Sequence, residues 1–301
     1  MEEDLKEEKW YPIEDNIFHH YYNLFYRINE DGETATIGVE HYEDERFVTT
    51  IHCPQFVDGY LVTNLEEDTF THTEWYHRYH DRLVYAGDIA YKFKGKENKE
   101  VSIAIKEGCV GIADKIFSHC SGLTSVVIPN SVIYIGNYAF EYCSGLTSVN
   151  IPNSVKTIGD SAFCSCNKLT TVVIGNSVKT IGDSAFSYCD SLTSIIIPDS
   201  VIKIGDSAFY YCDDLSSVVI GKSVKEIGYN SFKGCISLHS IFCKTANPTS
   251  HFEMPNDETI LYIPIGSLDA YIAIGFEENQ LVELTDEEMK RRIAELKGQQ
   301  I

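Results

Sequence analysis

A 23-residue repeat runs through the middle of this chain. A repeat of this length decides the whole fold, because one unit cannot bury its own apolar edge and must stack on its neighbours. Three residue types mark the period in six successive copies: Phe117, Phe140, Phe163, Phe186, Phe209 and Phe232; Leu123, Leu146, Leu169, Leu192, Leu215 and Leu238; Cys120, Cys143, Cys166, Cys189, Cys212 and Cys235.

The first part of each unit predicts a strand. In residues 146–151, Val149 and Ile151 fall on one face, while Ser148 and Asn150 fall on the other, as a period of two requires. Stacked units would place these strands side by side, about 4.8 Å apart, in a parallel sheet above a continuous core.

The rest of the unit predicts two corners. Residues 155–158 form a second short extended stretch that ends at Gly159. We expect Asp160 or Ser161 to cap a turn or two of helix over Ala162 and Phe163. The Gly-Asp-Ser triplets also resemble a hydrolase nucleophile turn, but a nucleophile is needed once and this triplet recurs with the repeat, which favours capping.

The unit resembles the BspA-type leucine-rich repeats in its segments Ile151-Pro152-Asn153-Ser154-Val155 and Ala162-Phe163 and in Cys166. The resemblance implies an α/β repeat solenoid, a right-handed leucine-rich-repeat stack with a parallel strand sheet. It also implies a surface or secreted protein of bacteria, or of some mucosal protists, that binds host or neighbouring-cell proteins. The segment from Leu261 to Tyr271 resembles the one that closes many bacterial members, with residues 281–284 as its last strand.

Three regions follow from the repeat and from the uneven charge. We predict a β-rich N-terminal cap over residues 1–100, the solenoid over 101–243, and a small α/β C-terminal cap with a charged helical tail over 244–301. In the caps we expect a hairpin of residues 83–85 and 89–93, a helix from Ser267 to Ile274 with a serine cap, and a tail helix over 286–297.

The formal charge of -21, from 45 acidic and 24 basic residues, argues against nucleic acid and anionic membranes as partners. No run approaches the roughly 20 apolar residues of a membrane helix, so no membrane insertion is expected. The acidic start, with Glu2, Glu3 and Asp4, is unlike a secretory signal. Localisation therefore stays open between the interior of the cell and the surface that the resemblance implies.

The cysteine column is expected to consist of buried thiols, because stacked rungs hold their Cβ atoms too far apart for a disulfide. The pairing of Cys53, Cys109, Cys164 and Cys243 cannot be judged from the sequence. Cys164-Ser165-Cys166 could seed a metal site, but Cys166 belongs to the buried column. We therefore predict no cofactor, no metal site and no catalytic residue.

The candidate binding residues lie on the outward face of the predicted first strands. One column is hydroxylic and its neighbour is mostly apolar, where β-branched residues could also reflect strand propensity alone. The candidates are Ser125, Val127, Ser148, Asn150, Thr171, Val173, Ser194, Ile196, Ser217, Val219 and Phe242.

Three functions remain open at this point. The first is a non-catalytic scaffold that binds a protein partner, in adhesion or recognition, through this face. The second is an intracellular scaffold or self-assembling subunit, suggested by the missing signal and the tail helix. The third is a metal or catalytic site in the polar cluster from His72 to His80.

Overall fold

The computed structural model describes residues 11–12, 22–29, 34–41, 56–57, 60–65, 76–77, 83–95, 98–246, 252 and 254–299. Within these residues the chain is a stack of parallel rungs with a small sheet at its start and two helices at its end. The predicted repeat solenoid with a parallel sheet is confirmed.

The N-terminal region is rich in strands. Five of them form one sheet in the order β1-β2-β3-β5-β4: β1 (Tyr11–Pro12), β2 (Tyr22–Ile28), β3 (Thr34–His41), β4 (Phe56–Val57) and β5 (Tyr60–Leu65). The predicted hairpin is present as the antiparallel pair β6 (Leu83–Ala86) and β7 (Ile89–Phe93).

Two sets of parallel strands then alternate along the chain, with partners 23 residues apart through most of the stack. The first set carries the predicted outward columns, and in it β8 pairs with β10, β12 with β14, β16 with β18, and β18 with β20. The strands in chain order are β8 (Val101–Ala104), β9 (Gly111–Ile112), β10 (Leu123–Val127), β11 (Tyr134–Ile135), β12 (Ser148–Ile151), β13 (Thr157–Ile158), β14 (Thr171–Ile174), β15 (Thr180–Ile181), β16 (Ser194–Ile196), β17 (Lys203–Ile204), β18 (Ser217–Ile220), β19 (Glu226–Ile227) and β20 (Ser240–Cys243). The second set consists of two-residue strands and joins β7 and β6 in one eight-stranded sheet, in the order β19-β17-β15-β13-β11-β9-β7-β6.

The core is a column of phenylalanine rings that runs along the stack. Phe140, Phe163, Phe186 and Phe209 are fully buried, and their ring centroids lie 5.0 to 5.5 Å apart. Their planes differ by 2° to 6°, so each ring packs on the next in an offset stack. The phenylalanine column is therefore part of the structural core.

The third side of each rung differs from the sequence expectation, which placed a short helix there. It consists of turns in which a residue such as Ser161 has a positive φ of 51°. The N–H of Ser161 donates to the carbonyl of Asp183 in the next rung at 2.7 Å. The expectation is wrong because the backbone bonds between rungs here instead of along a helix.

The aspartates of the repeat accept hydrogen bonds between rungs and do not cap a helix. Oδ1 of Asp160 accepts a hydrogen bond from the N–H of Asp183, and Oδ1 of Asp183 accepts one from the N–H of Asp206, both at 2.8 Å. A Cβ atom at Gly182 would lie 2.5 Å from Oδ1 of Asp160, so only glycine permits this close approach.

The same ladder ties the N-terminal region to the solenoid. Nδ2 of Asn64 donates to Oδ1 of Asp114 at 2.9 Å, and the N–H of Asp114 donates to Oδ1 of Asn64 at 3.2 Å. A Cβ atom at Gly111 would clash with the carbonyl oxygen of Thr63. Strand β5 therefore covers the first rung at backbone contact distance.

The cysteine column is buried as expected, and Cys143, Cys166, Cys189, Cys212 and Cys235 are free thiols. Each of these thiols donates a hydrogen bond to the carbonyl of a phenylalanine in the preceding rung, for example Cys166 Sγ to Phe140 O at 3.2 Å. The column thus combines small apolar volume with a donor. Cys109, Cys164 and Cys243 are free thiols too, whereas Cys53 lies outside the described residues.

Two parallel strands and two helices close the far end. Strands β21 (Ile260–Pro264) and β22 (Leu281–Leu284) continue the sheet after β20, which confirms the predicted last strand. Helix α1 (Leu268–Ala273) precedes a 3₁₀ turn (Glu278–Gln280), and helix α2 (Asp286–Gln299) ends the described chain.

The start of α1 corrects a detail of the prediction. The helix is present, but the hydroxyl of Ser267 donates to the carbonyl of Pro264 and does not cap it. The N–H groups of Gly266 and Leu268 instead donate to Oε1 of Glu283, at 2.7 and 3.1 Å. A side chain from β22 thus serves the helix N-terminus, which the local sequence alone does not indicate.

Candidate functional site

The first strands of the rungs turn one sheet surface outward, and we call this surface the strand face (outward residues of β8, β10, β12, β14, β16, β18 and β20). Alternation along each strand puts the apolar candidate column on it, as the sequence predicts. Val127 is 62% exposed and Val173 is 51% exposed, with Asn150 exposed between them. Ile196 is half-buried.

The hydroxylic column lies beside the apolar one and is also partly open. Ser148 is exposed, and Ser125, Thr171 and Ser194 are half-buried. Strands β12 and β14 pair in register, so that Ser148 lies opposite Thr171 and Asn150 opposite Val173. The two columns therefore form adjacent rows of hydroxyl and mostly apolar groups.

The C-terminal part of the strand face is covered, which corrects the expected exposure of three candidates. Val219 is fully buried, Phe242 is 5% exposed and Ser217 is 4% exposed. These positions point outward from the sheet, and Val219 and Phe242 pack with Met289 and Ile293 of helix α2. The sequence expectation that they meet solvent is therefore wrong, because it treated the tail helix as separate from the repeat.

An apolar cluster holds α2 in place. Met289 and Ile293 of the helix pack with Val219, Phe242 and Leu284. The partly buried residues around this cluster are Ile196, Tyr262 and Leu296. The helix thus shares a cluster with strands from β22, which precedes it in the chain, back to β18.

Two further features fix the position of α2. Its N-terminus has a capping box, in which the N–H of Glu288 donates to Oγ1 of Thr285 at 3.3 Å and the N–H of Thr285 donates to Oε2 of Glu288 at 3.0 Å. These bonds hold the pKa of Glu288 below its ordinary value. The guanidinium of Arg292 lies 4.8 Å from the ring centroid of Tyr262, a cation–π contact.

The part of the strand face on β8, β10, β12 and β14 remains uncovered among the described residues, and we call it the open half. Its mostly apolar row is Ala104, Val127, Asn150 and Val173, all exposed. None of these four strands contains a charged residue. An uncharged surface with exposed valines and a row of hydroxyls can bind by apolar burial and hydrogen bonds, without ion pairs.

The metal and catalytic alternatives concern the cluster His72 to His80 and the Cys-x-Cys pair. Among the described residues no group of three or more His, Cys, Asp or Glu side chains is placed to hold a metal ion. Of the cluster His72 to His80 only Tyr76 and His77 are described, so a site there stays a prediction. Cys166 of the Cys-x-Cys pair is fully buried.

Two clefts lie on the side of the short strands. One, of about 140 Å³, is lined by polar groups that include Arg27, Asn29 and Asn137. The other, of about 360 Å³, lies between Lys203, Asp206 and adjoining residues. Asp206 Oδ1 already accepts a hydrogen bond from the N–H of Tyr229 at 2.7 Å, so the carboxylate serves the ladder.

A surface that the sequence reasoning missed lies on the turns. The rings of His119 and Tyr142 stack at 4.6 Å, and those of Tyr188 and Tyr211 stack at 5.7 Å. These four residues have φ values of 53° to 63°, a region that costs an aromatic residue free energy. The signal in the sequence was the recurrence of an aromatic residue at the second position after the repeat phenylalanine, as in Tyr142. A ring needed only for core packing would be buried. Tyr142 is 46% exposed.

Comparison with known proteins agrees with the architecture. Residues 91–247 match the family described as BspA type leucine rich repeat region, in six copies. No curated protein sequence matches the chain at a significant level. No helix of the described residues has the length and apolar composition to cross a membrane.

Several solved structures are similar to this chain. A leucine rich cell surface protein from Faecalibacterium prausnitzii is 26% identical, covers 80% of this chain and 69% of its own, and has a TM-score of 0.46. The leucine rich repeat protein of T. pallidum is 24% identical, with coverages of 65% and 91% and a TM-score of 0.44. The pneumococcal vaccine antigen PcpA is 15% identical, with coverages of 87% and 96% and a TM-score of 0.39. Because the family match spans more than half of the sequence and coincides with the stacked rungs, the chain belongs to the BspA type leucine-rich-repeat family.

Proposed function

We propose that this protein is a non-catalytic scaffold that binds a protein partner through the open half of its strand face, in adhesion or recognition. The observation that supports this most is the exposure of Val127 and Val173, at 62% and 51%, on strands without any charge. Water-facing valines in a row with Asn150 are costly to solvate and favourable to cover.

The covered part of the same face supports the proposal. Val219 and Phe242 occupy the same outward column as Val127 and Val173, and the chain buries them under its own helix. The column therefore has a composition that other polypeptide segments can pack against. On a cell surface, the partner would be a host protein or a protein of a neighbouring cell.

The test is capture of surface proteins from neighbouring or host cells by the immobilised full chain, followed by mass spectrometry. A Val127→Asp, Val173→Asp double variant places two charges on the open half, and we expect it to lose the captured protein at least tenfold. The matched control is Ile202→Asp with Ile236→Asp, two exposed residues outside the strand face, 39% and 76% exposed.

Circular dichroism must first show that both variants keep the fold of the parent, since exposed substitutions normally change stability little. Equal capture by parent, variant and control would contradict the proposal. If the double variant and the control both lost the captured protein, the binding site would lie outside the strand face, because the control residues do. Light scattering of the purified chain at several concentrations shows whether it binds a second copy of itself, which distinguishes self-association from binding of a different protein.

A further inference from the structure

Helix α2 shows what kind of segment the strand face accepts. Its apolar residues Met289, Ile293 and Leu296 are spaced four and three apart, so they form one stripe along a helix. That stripe packs on the outward column of the sheet, while Glu287 and Lys290 remain exposed. The face therefore binds an amphipathic helix through its apolar side, with the charged side in water.

The dimensions of the covered part and of the open half are similar. Helix α2 has 14 residues and spans about 21 Å at about 1.5 Å per residue. It packs in one cluster with the outward column from β22 back to β18. The length from β8 to β16, whose Ile196 packs at the edge of the cluster, is four strand spacings of about 4.8 Å, or about 19 Å. A second helix of about 12 residues fits that length.

The open half continues the covered part without a change of column. Val173 of β14 is the next outward residue after Ile196 of β16, and Ile196 already packs against the cluster of α2. The occupied surface and the unoccupied one are therefore one interface, of which this chain fills the C-terminal part. From this continuity we infer that the open half takes an amphipathic helix of a partner protein, seated end to end with α2.

This inference rests on the proposed function and adds the conformation and the chemistry of the partner. The contacting stripe of the partner helix is uncharged, because the four strands of the open half offer no charge to pair with. Asn150 lies between Val127 and Val173 and would be covered by the helix. A covered amide without a partner is costly, so the helix carries one hydrogen-bonding side chain opposite Asn150, flanked by apolar ones.

The test uses two fluorescent helical probes and the full chain. The first is a hydrocarbon-stapled peptide with the sequence of residues 285–299, and the second is the same peptide with Ile293→Asn. We expect saturable binding of both, at least tenfold weaker to the Val127→Asp, Val173→Asp variant and unchanged for the Ile202→Asp, Ile236→Asp control. A peptide with serine in place of Met289, Ile293 and Leu296 should not bind.

The substitution Asn150→Val distinguishes a helix seated on the open half from a nonspecific apolar contact. It should strengthen the binding of the first probe and weaken the binding of the second, since it removes the amide with which the asparagine of the second probe would form a hydrogen bond. Equal changes for both probes would overturn the assignment. If Asp at 127 and 173 disturbs the fold, Val127→Thr with Val173→Thr keeps the β-branched shape and should still weaken both probes.

A photo-crosslinker on each probe, at the position of residue 296, locates the bound peptide. Products on β10 to β14 support the inference, and products on β18 or β20 would overturn it by showing exchange with the chain's own α2. Absence of probe binding would also overturn it. If cellular capture still depended on Val127 and Val173 in that case, the proposed function would stand, with a partner that is not helical at the contact.

Discussion

Replacing Ile293 by alanine tests whether α2 is a separable cover on the strand face. The side chain is 7% exposed and packs in the cluster with Val219, Phe242, Leu284 and Met289. Truncating a buried isoleucine to alanine costs about 2 to 5 kcal/mol. An isolated helix of 14 residues is marginal in water, so α2 depends on these contacts for its order.

The loss should therefore appear as easier opening of α2 and not as unfolding of the rungs. Since about 1.4 kcal/mol is a factor of ten, the lower end of that range corresponds to a roughly 30-fold faster amide exchange in residues 286–299. Hydrogen exchange with mass spectrometry measures this directly. Tryptic cleavage after Lys290 and Arg291 should accelerate in parallel.

The matched control is Glu295→Ala, at an exposed position of the same helix, which should leave exchange nearly unchanged. Exchange in β12 and β14 should be the same in all three proteins, because α2 does not reach them. A protected α2 in Ile293→Ala, together with a lower thermal midpoint of the whole protein, would contradict this prediction. The helix would then be part of the central cooperative unit.

Two further predictions concern the core. Phe163→Ala, which removes a fully buried ring from the stack, should lower the free energy of unfolding by about 3 to 5 kcal/mol in urea denaturation, whereas Tyr188→Ala, at a 43% exposed ring, should cost only about 1 kcal/mol; similar costs would contradict the assigned core. Burial raises the pKa of Cys143, Cys166, Cys189 and Cys212 above the ordinary value of 9.0, and that of Cys109 to about 11. The unfolded chain therefore releases these protons first, so stability is fully present below about pH 9 and falls above it, by up to about 1.4 kcal/mol per thiol and pH unit. Urea denaturation at pH 8 and pH 10 measures this fall, which should be shallower in Cys189→Ala; a stability independent of pH in this range would contradict the burial of the thiols.

The sequence was sufficient for the elements that depend on the repeat. The spacing of Phe163, Leu169 and Cys166 requires stacked rungs, because any fold that did not place them in columns would leave an apolar edge in water. Alternation in residues 148–151 likewise decides which side chains face the core. Both inferences need only the local periodicity of the residues, which the sequence shows directly.

Contacts between segments that are distant in the chain could not be predicted in the same way. The pattern of α2 shows an apolar stripe, but which surface the stripe covers depends on where the C-terminal cap turns the chain, as the burial of Val219 by residues 70 or more positions later shows. The turn at Ser161 was misjudged for a related reason. Its backbone N–H can bond within a helix or to the neighbouring rung, and only the stacked rungs supply the second partner.

The repeat is enough to predict the solenoid, its buried columns and the outward orientation of Val127, Val173 and Val219, since these follow from side-chain direction within a rung. Which of those outward residues meet solvent depends on the packing of distant segments. The physical reason is that burial depends on every segment that packs on a surface, and α2 covers Val219 while it ends short of Val127 and Val173.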